Sequence, residues 1–436
     1  MKLSSVTLED MLYSRERRAA LQRGLLQGAG CRCLVCLTMN IPGEVKRTPL
    51  IRLLFDEGLR RFDGLEFSLI KRLVLDCATG PEAFMALDED PEAVKNATQS
   101  IEDSFPAARL FDFDVLTPDG EKLSRPVSRR CLICSRPAAE CARSRSHGLD
   151  ALRAATDELL RSFAGDVLAR AAADSLLDEL YTTPKPGLVD LANNGAHSDM
   201  DIPLFEKSAE SLRPYFLRAA MLGMENCSME ELRREGVRAE GEMFAVTGGV
   251  NTHKGMIYSM GLLLAGMGKA LLFGGDALAH AAALAREDIL PMLDKAARSP
   301  VTNGNKAYAA HGAKGAMGEA AAGFPSGVFA ARRLAHYIRT DAPNPGAFAL
   351  CDIMGLLEDT NLLHRGGSEG LAFARENALR TASLPYSQRE AALKELDDEM
   401  IRRGLSPGGC ADMLAVGYLL VKWQYIADTL ELSKND

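Results

Sequence analysis

A change of pattern just after the cysteine- and arginine-rich segment ending near His147 constrains this chain more than any other feature. Before it, strand-like runs, CLVCLTMNI (33–41), LVLDCA (73–78) and ARLFDFDVL (108–116), alternate with helical ones such as TPLIRLLFDEGLRRF and PEAVKNATQSIEDSF. After it, alanine- and leucine-rich segments with helical spacing dominate: LDALRAATDELLRSF, DVLARAAADSLLDELY, GDALAHAAALAREDILPMLDKAA and SQREAALKELDDEMIRR. The expectation is a multidomain chain, with an α+β domain over 1–163 and a larger all-α domain over 164–436. A long helix beginning near Leu149 joins them.

With 436 residues, 47% of them hydrophobic, the chain can bury sizeable cores. Its most apolar stretch, Met256 to Gly275, is interrupted by Lys269 and by glycines, so no membrane span is expected. The N-terminus carries acids and arginines where a signal peptide needs a continuous apolar run, which points to the cytoplasm. In that reducing compartment ten cysteines, clustered at 31, 33, 36 and at 131, 134, 141, read as thiols or metal ligands rather than disulfides. A net charge of −8 disfavours nucleic-acid binding. Locally, Arg125 to Arg145 holds six arginines against one acid, Glu140, which reads as a solvated basic loop or as a site for an anion or an acidic protein.

The loops between the C-terminal helices pack polar residues among glycines and prolines: TPKPGLVDLANNGAHSDMD, TGGVNTHKG, GEAAAGFPSG, EDTNLLHRGG and LSPGGCAD. Glycine lets backbone approach a ligand closely, while Asp, Asn, His, Lys and Arg supply metal and phosphate contacts. Five such loops in one domain suggest a shared site. None is a Gly-x4-Gly-Lys-Ser/Thr phosphate loop, and no Gly-x-Gly-x-x-Gly leads from a strand into a helix.

The motifs Pro184-Lys185-Pro186-Gly187-Leu188-Val189-Asp190, Gly195-Ala196-His197 with Asp199-Met200, Gly249-Val250-Asn251-Thr252-His253-Lys254-Gly255, Asp359-Thr360-Asn361, Arg365-Gly366-Gly367 and Ser406-Pro407-Gly408-Gly409 with Asp412 resemble the triphosphoribosyl-dephospho-CoA synthase family. The resemblance runs through nearly all of 164–436. It implies an all-α fold that converts ATP and 3'-dephospho-CoA into 2'-(5''-triphosphoribosyl)-3'-dephospho-CoA and adenine. Attack of a ribose hydroxyl on the anomeric carbon has oxocarbenium character, for which a base and a leaving-group acid help. The retained triphosphate calls for Mg²⁺ and cations. Asp190, Asp199, Asp201, Asp359 and Asp412 are the candidate carboxylates, Asp190 and Asp359 being first choices for the base and Asp199 and Asp412 for the metal. Lys185, Lys254, Arg365, His197, His253 and Gly408 would contact substrate, and Asn251 and Asn361 would orient adenine or ribose. Alternatively Asp190 and Asp412 are helix N-caps and the histidines buried hydrogen-bonding residues. Two positions depart from the family pattern: Met317 stands before Gly318-Glu319-Ala320, where Lys314 can replace a basic residue, and Glu358 precedes Asp359.

Arg15-Glu16-Arg17, Pro42-Gly43-Glu44-Val45-Lys46, Thr79-Gly80-Pro81-Glu82, Arg109 to Val115 and Arg129-Arg130-Cys131-Leu132-Ile133-Cys134 leading to Cys141-Ala142-Arg143 resemble the citrate lyase phosphoribosyl-dephospho-CoA transferase, or holo-citrate lyase synthase. The resemblance implies that a serine of the citrate lyase acyl carrier protein, its gamma subunit, attacks the α-phosphorus and releases pyrophosphate. Asp112 and Asp114, two apart on a strand, project from one face and can grip Mg²⁺, with Arg15, Lys46 and Arg109 on the triphosphate and Glu44 assisting the serine. Alone, the pair would read as an exposed strand end. Cys131, Cys134, Cys141 and His147 have the number and type of ligands of a structural Zn²⁺ site, or are free thiols; Cys31, Cys33 and Cys36 read as packing residues. Since the product of one half is the substrate of the other, a fusion is chemically sensible. A malonate decarboxylase carrier as acceptor, a nucleotide-binding scaffold without catalysis and a zinc-binding adaptor are the competing readings.

Overall fold

The computed structural model describes residues 5–287 and 315–432. The chain divides into two compact units between Ala164 and Gly165.

In the N-terminal unit, helix α1 (Leu8–Ala29) starts from a reciprocal cap: the Thr7 hydroxyl accepts from Asp10 N while the Asp10 carboxylate accepts from Thr7 N. β1 (Cys33–Met39), α2 (Pro49–Asp63), β2 (Leu69–Cys77), β3 (Gly80–Leu87), α3 (Pro91–Glu102), β4 (Phe111–Leu116) and the short α4 (Ala138–Ser144) follow. Thr48 and Asp90 cap α2 and α3, each with proline at the first helical position. The strands form one antiparallel sheet in the order β2-β3-β1-β4. Cys36 pairs with Phe84 on one side and Asp114 on the other, so these side chains share a face. α1 covers that face, with Gln22 Nε2 donating to Cys36 Sγ at 3.2 Å and Leu21 and Leu25 packed on the cluster of Leu34, Phe84 and Leu116. On the opposite face Phe62 of α2 stacks on Phe113 at 6.1 Å. The outward backbone groups of edge strand β4 are occupied: Phe111 O accepts from Arg129 Nη1 (2.7 Å), Phe113 N donates to Glu102 Oε1 (2.8 Å), Phe113 O accepts from Lys95 Nζ (3.0 Å) and Val115 O accepts from Leu123 N (2.9 Å).

α5 (Leu149–Tyr181) is a single helix of 33 residues that crosses the division, uniting two segments separate in the sequence pattern. Beyond it the described residues are helical: α6 (Ile202–Met224), α7 (Met229–Val246), α8 (Lys254–Phe273), α9 (Ala277–Arg286), α10 (Gly315–Ala321), α11 (Pro325–Arg339), α12 (Pro345–Met354), α13 (Thr360–Ala382), α14 (Tyr386–Arg402) and α15 (Gly408–Thr429). α8 is long and apolar enough to cross a membrane by length and composition, but 78% of its apolar window is buried inside the unit. Its small residues permit close packing: a Cβ on Gly223 of α6 would lie 1.9 Å from Ala265 O. Lys314 and the latter half of the 275–297 segment lie outside the described residues.

Candidate functional site

A cavity of about 1640 Å³ in the C-terminal unit is walled by the end of α5, the loop after it, α7 and the N-termini of α8, α11, α13 and α15. Positive helix-dipole ends thus face the cavity, although side chains already take leading N–H groups: Asn251 at α8, Glu319 at α11 and Asp359 at α13 and α15. The loop after α5 is shaped by Asp190, whose Oδ2 accepts from Lys185 N (2.8 Å) and whose Oδ1 accepts from Ala192 N (2.7 Å) and Asn193 N (3.1 Å). Asp190 is therefore a loop clamp, neither a helix cap nor a cavity-lining residue. Asp359 is the N-cap of α13, with Oδ1 accepting from Asn361 N (2.7 Å) and Leu362 N (3.1 Å); its Oδ2 also accepts from Cys410 N of α15 (2.8 Å). One buried carboxylate thus ties two helix starts together. Its pKa is pushed up by burial, against these three amides, which pull it down. Gly408 lets Asn361 pack closely, since a Cβ there would lie 2.6 Å from Asn361 Nδ2 and push that side chain aside.

Asp412 sits in the first turns of α15, is not its cap, and makes no hydrogen bond to a described residue. Burial and the negative charges of Glu179 and Asp359 push its carboxyl up to about 8, so at neutral pH it is mostly a neutral acid. Asp199, its expected companion, is exposed outside the cavity wall, and Asp201 caps α6. Lys185 is buried and donates from Nζ to Glu179 Oε1 at 2.6 Å, a partner that the sequence did not flag. Lys254 pairs with Glu240, and Asn251 Oδ1 accepts from Lys254 N at 3.2 Å. His253 shares a 2.7 Å hydrogen bond between Nδ1 and Ser208 Oγ; burial, then Lys185, drives its pKa down to about 3, which keeps it neutral. His197 lies 2.9 Å from Ser406 Oγ through Nε2 and 3.3 Å from Arg365 Nη2 through Nδ1, and is also shifted down, by burial and then Arg365. Arg365 Nη1 donates to Ala196 O (3.0 Å) and Gly404 O (3.2 Å). Met317 and Glu358 also line the cavity.

In the N-terminal unit Asp112 and Asp114 both lie on the α1 side of β4. Asp114 pairs with Lys122, and its pKa is raised by burial and by Asp112 against the pull of that lysine. Asp112 is half-exposed, 3.9 Å from Arg129 Nη2. Arg109 is engaged elsewhere: its Nη2 donates to Arg130 O (2.6 Å) and Cys131 O (2.9 Å), anchoring the cysteine loop. Lys46 Nζ donates to Ile41 O, and its pKa is lowered by burial. Glu44 is exposed, 3.7 Å from Arg153. Arg15 lies on the exposed side of α1, whereas Arg17 and Arg18 turn inward to Glu82 of β3, which the strand register places on the same sheet face as Asp112 and Asp114.

The ligand atoms of Cys131, Cys134, Cys141 and His147 all lie within 4.8 Å of one another, with Cys134 Sγ 3.5 Å from Cys141 Sγ and 3.3 Å from His147 Nε2. Cys131 and Cys141 are buried. A hydrogen bond from the Arg136 backbone, then one with His147, pulls the Cys134 thiol down to about 6. The cluster can hold a metal ion. Cys33 and Cys36 are core residues of β1 whose thiols burial pushes up to about 12, so they remain protonated packing groups.

Comparisons with known proteins divide the chain in the same order. Residues 6–163 match the family model of the apo-citrate lyase phosphoribosyl-dephospho-CoA transferase, and residues 165–429 match that of the ATP:dephospho-CoA triphosphoribosyl transferase. "Protein CitXG" of Haemophilus influenzae is 34% identical, with 95% of each chain covered, and "Protein CitXG" of Leuconostoc mesenteroides is 28% identical over 96% of this chain and 97% of its own length. The 2-(5''-triphosphoribosyl)-3'-dephosphocoenzyme-A synthase of Haemophilus ducreyi is 32% identical, covering 67% of this chain and all of its own. With a transferase domain of the first kind followed by one of the second, the chain belongs to the CitXG family of bifunctional transferases.

Proposed function

We propose that residues 164–436 make the prosthetic-group precursor of citrate lyase and that residues 1–163 attach it. In the first reaction the 2'-hydroxyl of 3'-dephospho-CoA attacks the anomeric carbon of ATP. The bond to adenine breaks, adenine leaves with the electron pair, and the proton lost by the hydroxyl balances the one that adenine takes up. Asp412 is the residue suited to give adenine its proton, because its carboxyl is neutral near pH 7 and faces the cavity. Asp190 and Asp359, both committed to backbone amides, shape the cavity instead. Lys254 and Arg365 receive the triphosphate, and neutral His253 and His197 orient ribose or base as hydrogen-bonding groups.

In the second reaction a serine oxygen of the acyl carrier protein bonds to the α-phosphorus, its proton passing to Glu44 or to water. The bond from that phosphorus to the bridging oxygen breaks, and pyrophosphate leaves. Asp112 and Asp114, sharing one face, fit a Mg²⁺ site, and the ion when bound supplies charge neutralisation on the phosphates. Lys122 holds Asp114. Cys131, Cys134, Cys141 and His147 fit structural Zn²⁺: tetrahedral bonds of about 2.3 Å to sulfur place ligand atoms slightly under 4 Å apart, near the spacing seen.

What carries this reading is the occurrence on one chain of both family matches, one making what the other consumes. Incubation with ATP, Mg²⁺ and dephospho-CoA should release free adenine, and adding the carrier should raise its mass by the phosphoribosyl-dephospho-CoA group. Adenine release at the same rate without dephospho-CoA sinks the synthase half, and a carrier of unchanged mass sinks the other.

A further inference from the structure

On the inner side of α1, two arginines converge on one buried carboxylate. Arg17 Nη2 donates to Glu82 Oε2 at 2.7 Å and Arg18 Nη2 to Oε1 at 2.6 Å, while Ser14 Oγ donates to the same Oε1 at 3.2 Å and accepts from Thr79 Oγ1 at 3.0 Å. Glu82 is 1% exposed. One carboxylate neutralises one guanidinium, so a buried carboxylate alone does not account for two. Arg17 Nη1 also reaches Cys77 Sγ at 3.0 Å. The Nε atoms of both arginines are buried and have no hydrogen-bond partner among the described residues. Leaving a buried donor unmade costs about 1–3 kcal/mol, so the fold holds this pair in place at a cost that packing alone does not explain. Both side chains keep some exposure, 31% and 24%, which leaves them reachable.

The strand register fixes where this pair lies. Phe84 and Asp114 flank Cys36, and Glu82 and Asp112 stand two residues from Phe84 and Asp114 on the same face, with β1 between them. Two strand spacings put the backbones of Glu82 and Asp112 about 10 Å apart, a span that a triphosphate bridges with one contact distance at each end.

We propose that Arg17 and Arg18, held by Glu82, are the seat for the leaving diphosphate of the triphosphoribosyl substrate, opposite the α-phosphoryl end at Asp112 and Asp114. This rests on reading the N-terminal unit as the transferase. Glu82 is then a positioning residue that fixes both guanidinium forks, and Arg17 and Arg18 are the groups that touch the anion.

The test uses the full chain and inorganic pyrophosphate as probe. Pyrophosphate should inhibit transfer competitively against the triphosphoribosyl compound and raise the melting temperature of the N-terminal unit. Arg17→Lys and Arg18→Lys keep a charge beside Glu82 but remove the fork. Each should weaken pyrophosphate inhibition and raise KM for the triphosphoribosyl compound by about tenfold or more, with KM for the carrier unmoved. A purely structural pair would lower the melting temperature and leave pyrophosphate inhibition as in wild type, and that result overturns the proposal. If neither lysine variant folds, the wild-type melt decides, since no shift with saturating pyrophosphate also overturns it. A wild-type chain that does not modify the carrier at all, yet is stabilised by pyrophosphate, refutes the transferase reading and leaves the anion seat standing.

Discussion

Asp412→Asn should make the C-terminal unit more stable while stopping its chemistry. The carboxyl is raised from 3.8 to about 8 by burial and by Glu179 and Asp359. An unfolded chain gains free energy by ionising this aspartate above pH 4; the folded chain does not until pH passes about 8. The group's contribution to stability is therefore fully present below pH 4 and is lost progressively as pH rises to about 8. At pH 7 the loss reaches at most about 4 kcal/mol, and solvent in the cavity brings the expected figure to between about 1 and 4 kcal/mol. Asparagine, which cannot ionise, avoids this loss, so the variant should melt about 2–8 °C higher at pH 7.5 and show a smaller gain at pH 5.5. Circular dichroism melts of both chains at the two pH values measure it, alongside adenine release, which should fall at least about a hundredfold. Asparagine melting at or below wild type at both pH values, with adenine release intact, refutes both the buried-acid reading and the assigned role.

Two further outcomes concern the N-terminal unit. Replacing Asp112 and Asp114 together by asparagine should slow carrier modification at least about a hundredfold while adenine release continues, so that the triphosphoribosyl compound accumulates in solution; chromatography of the nucleotides and mass spectrometry of the carrier report it, and carrier modified at the normal rate removes the pair from the site. Metal analysis of protein purified without added metal should give close to one zinc per chain, and Cys134→Ser should abolish it and lower the N-terminal melting transition by more than about 5 °C; a metal-free, fully folded preparation decides for free thiols.

Much of the architecture was legible because its signals are local. β1 and α2 follow from apolar runs and a Thr-Pro start, and the shift to alanine-rich helices marks the second unit. β3 was not legible: GPEAFMAL has no β-branched residue, and it becomes a fully buried strand because β1 and β2 pair with it on both sides. The loops named from sequence do meet around one cavity, yet the sequence could not say which carboxylates face it. Asp359 before a helical run carries a readable capping signal, and the structure makes it the N-cap of α13 on the cavity wall. Arg17 and Glu82 stood in two separate motifs 65 residues apart, and only the packing of α1 on the sheet joins them. The structure gives Arg109 Nη2 two backbone carbonyls of the cysteine loop, contacts that the residue's charge and sequence neighbours do not announce.

The dressing of β4 by Arg129, Glu102, Lys95 and Leu123 bears on colloidal behaviour. An edge strand whose outward amides and carbonyls are free is a template for another chain, the usual route to sheet extension and aggregation. Here those groups face side chains that already bind them. Glu102 has Arg129 and Arg125 beside it, so a neighbouring strand would have to displace a charged network to gain ordinary backbone hydrogen bonds. The polar residues that look like mere surface charge in the sequence thus protect the β4 edge of the sheet against a strand from another molecule; they do not cover the opposite edge, β2.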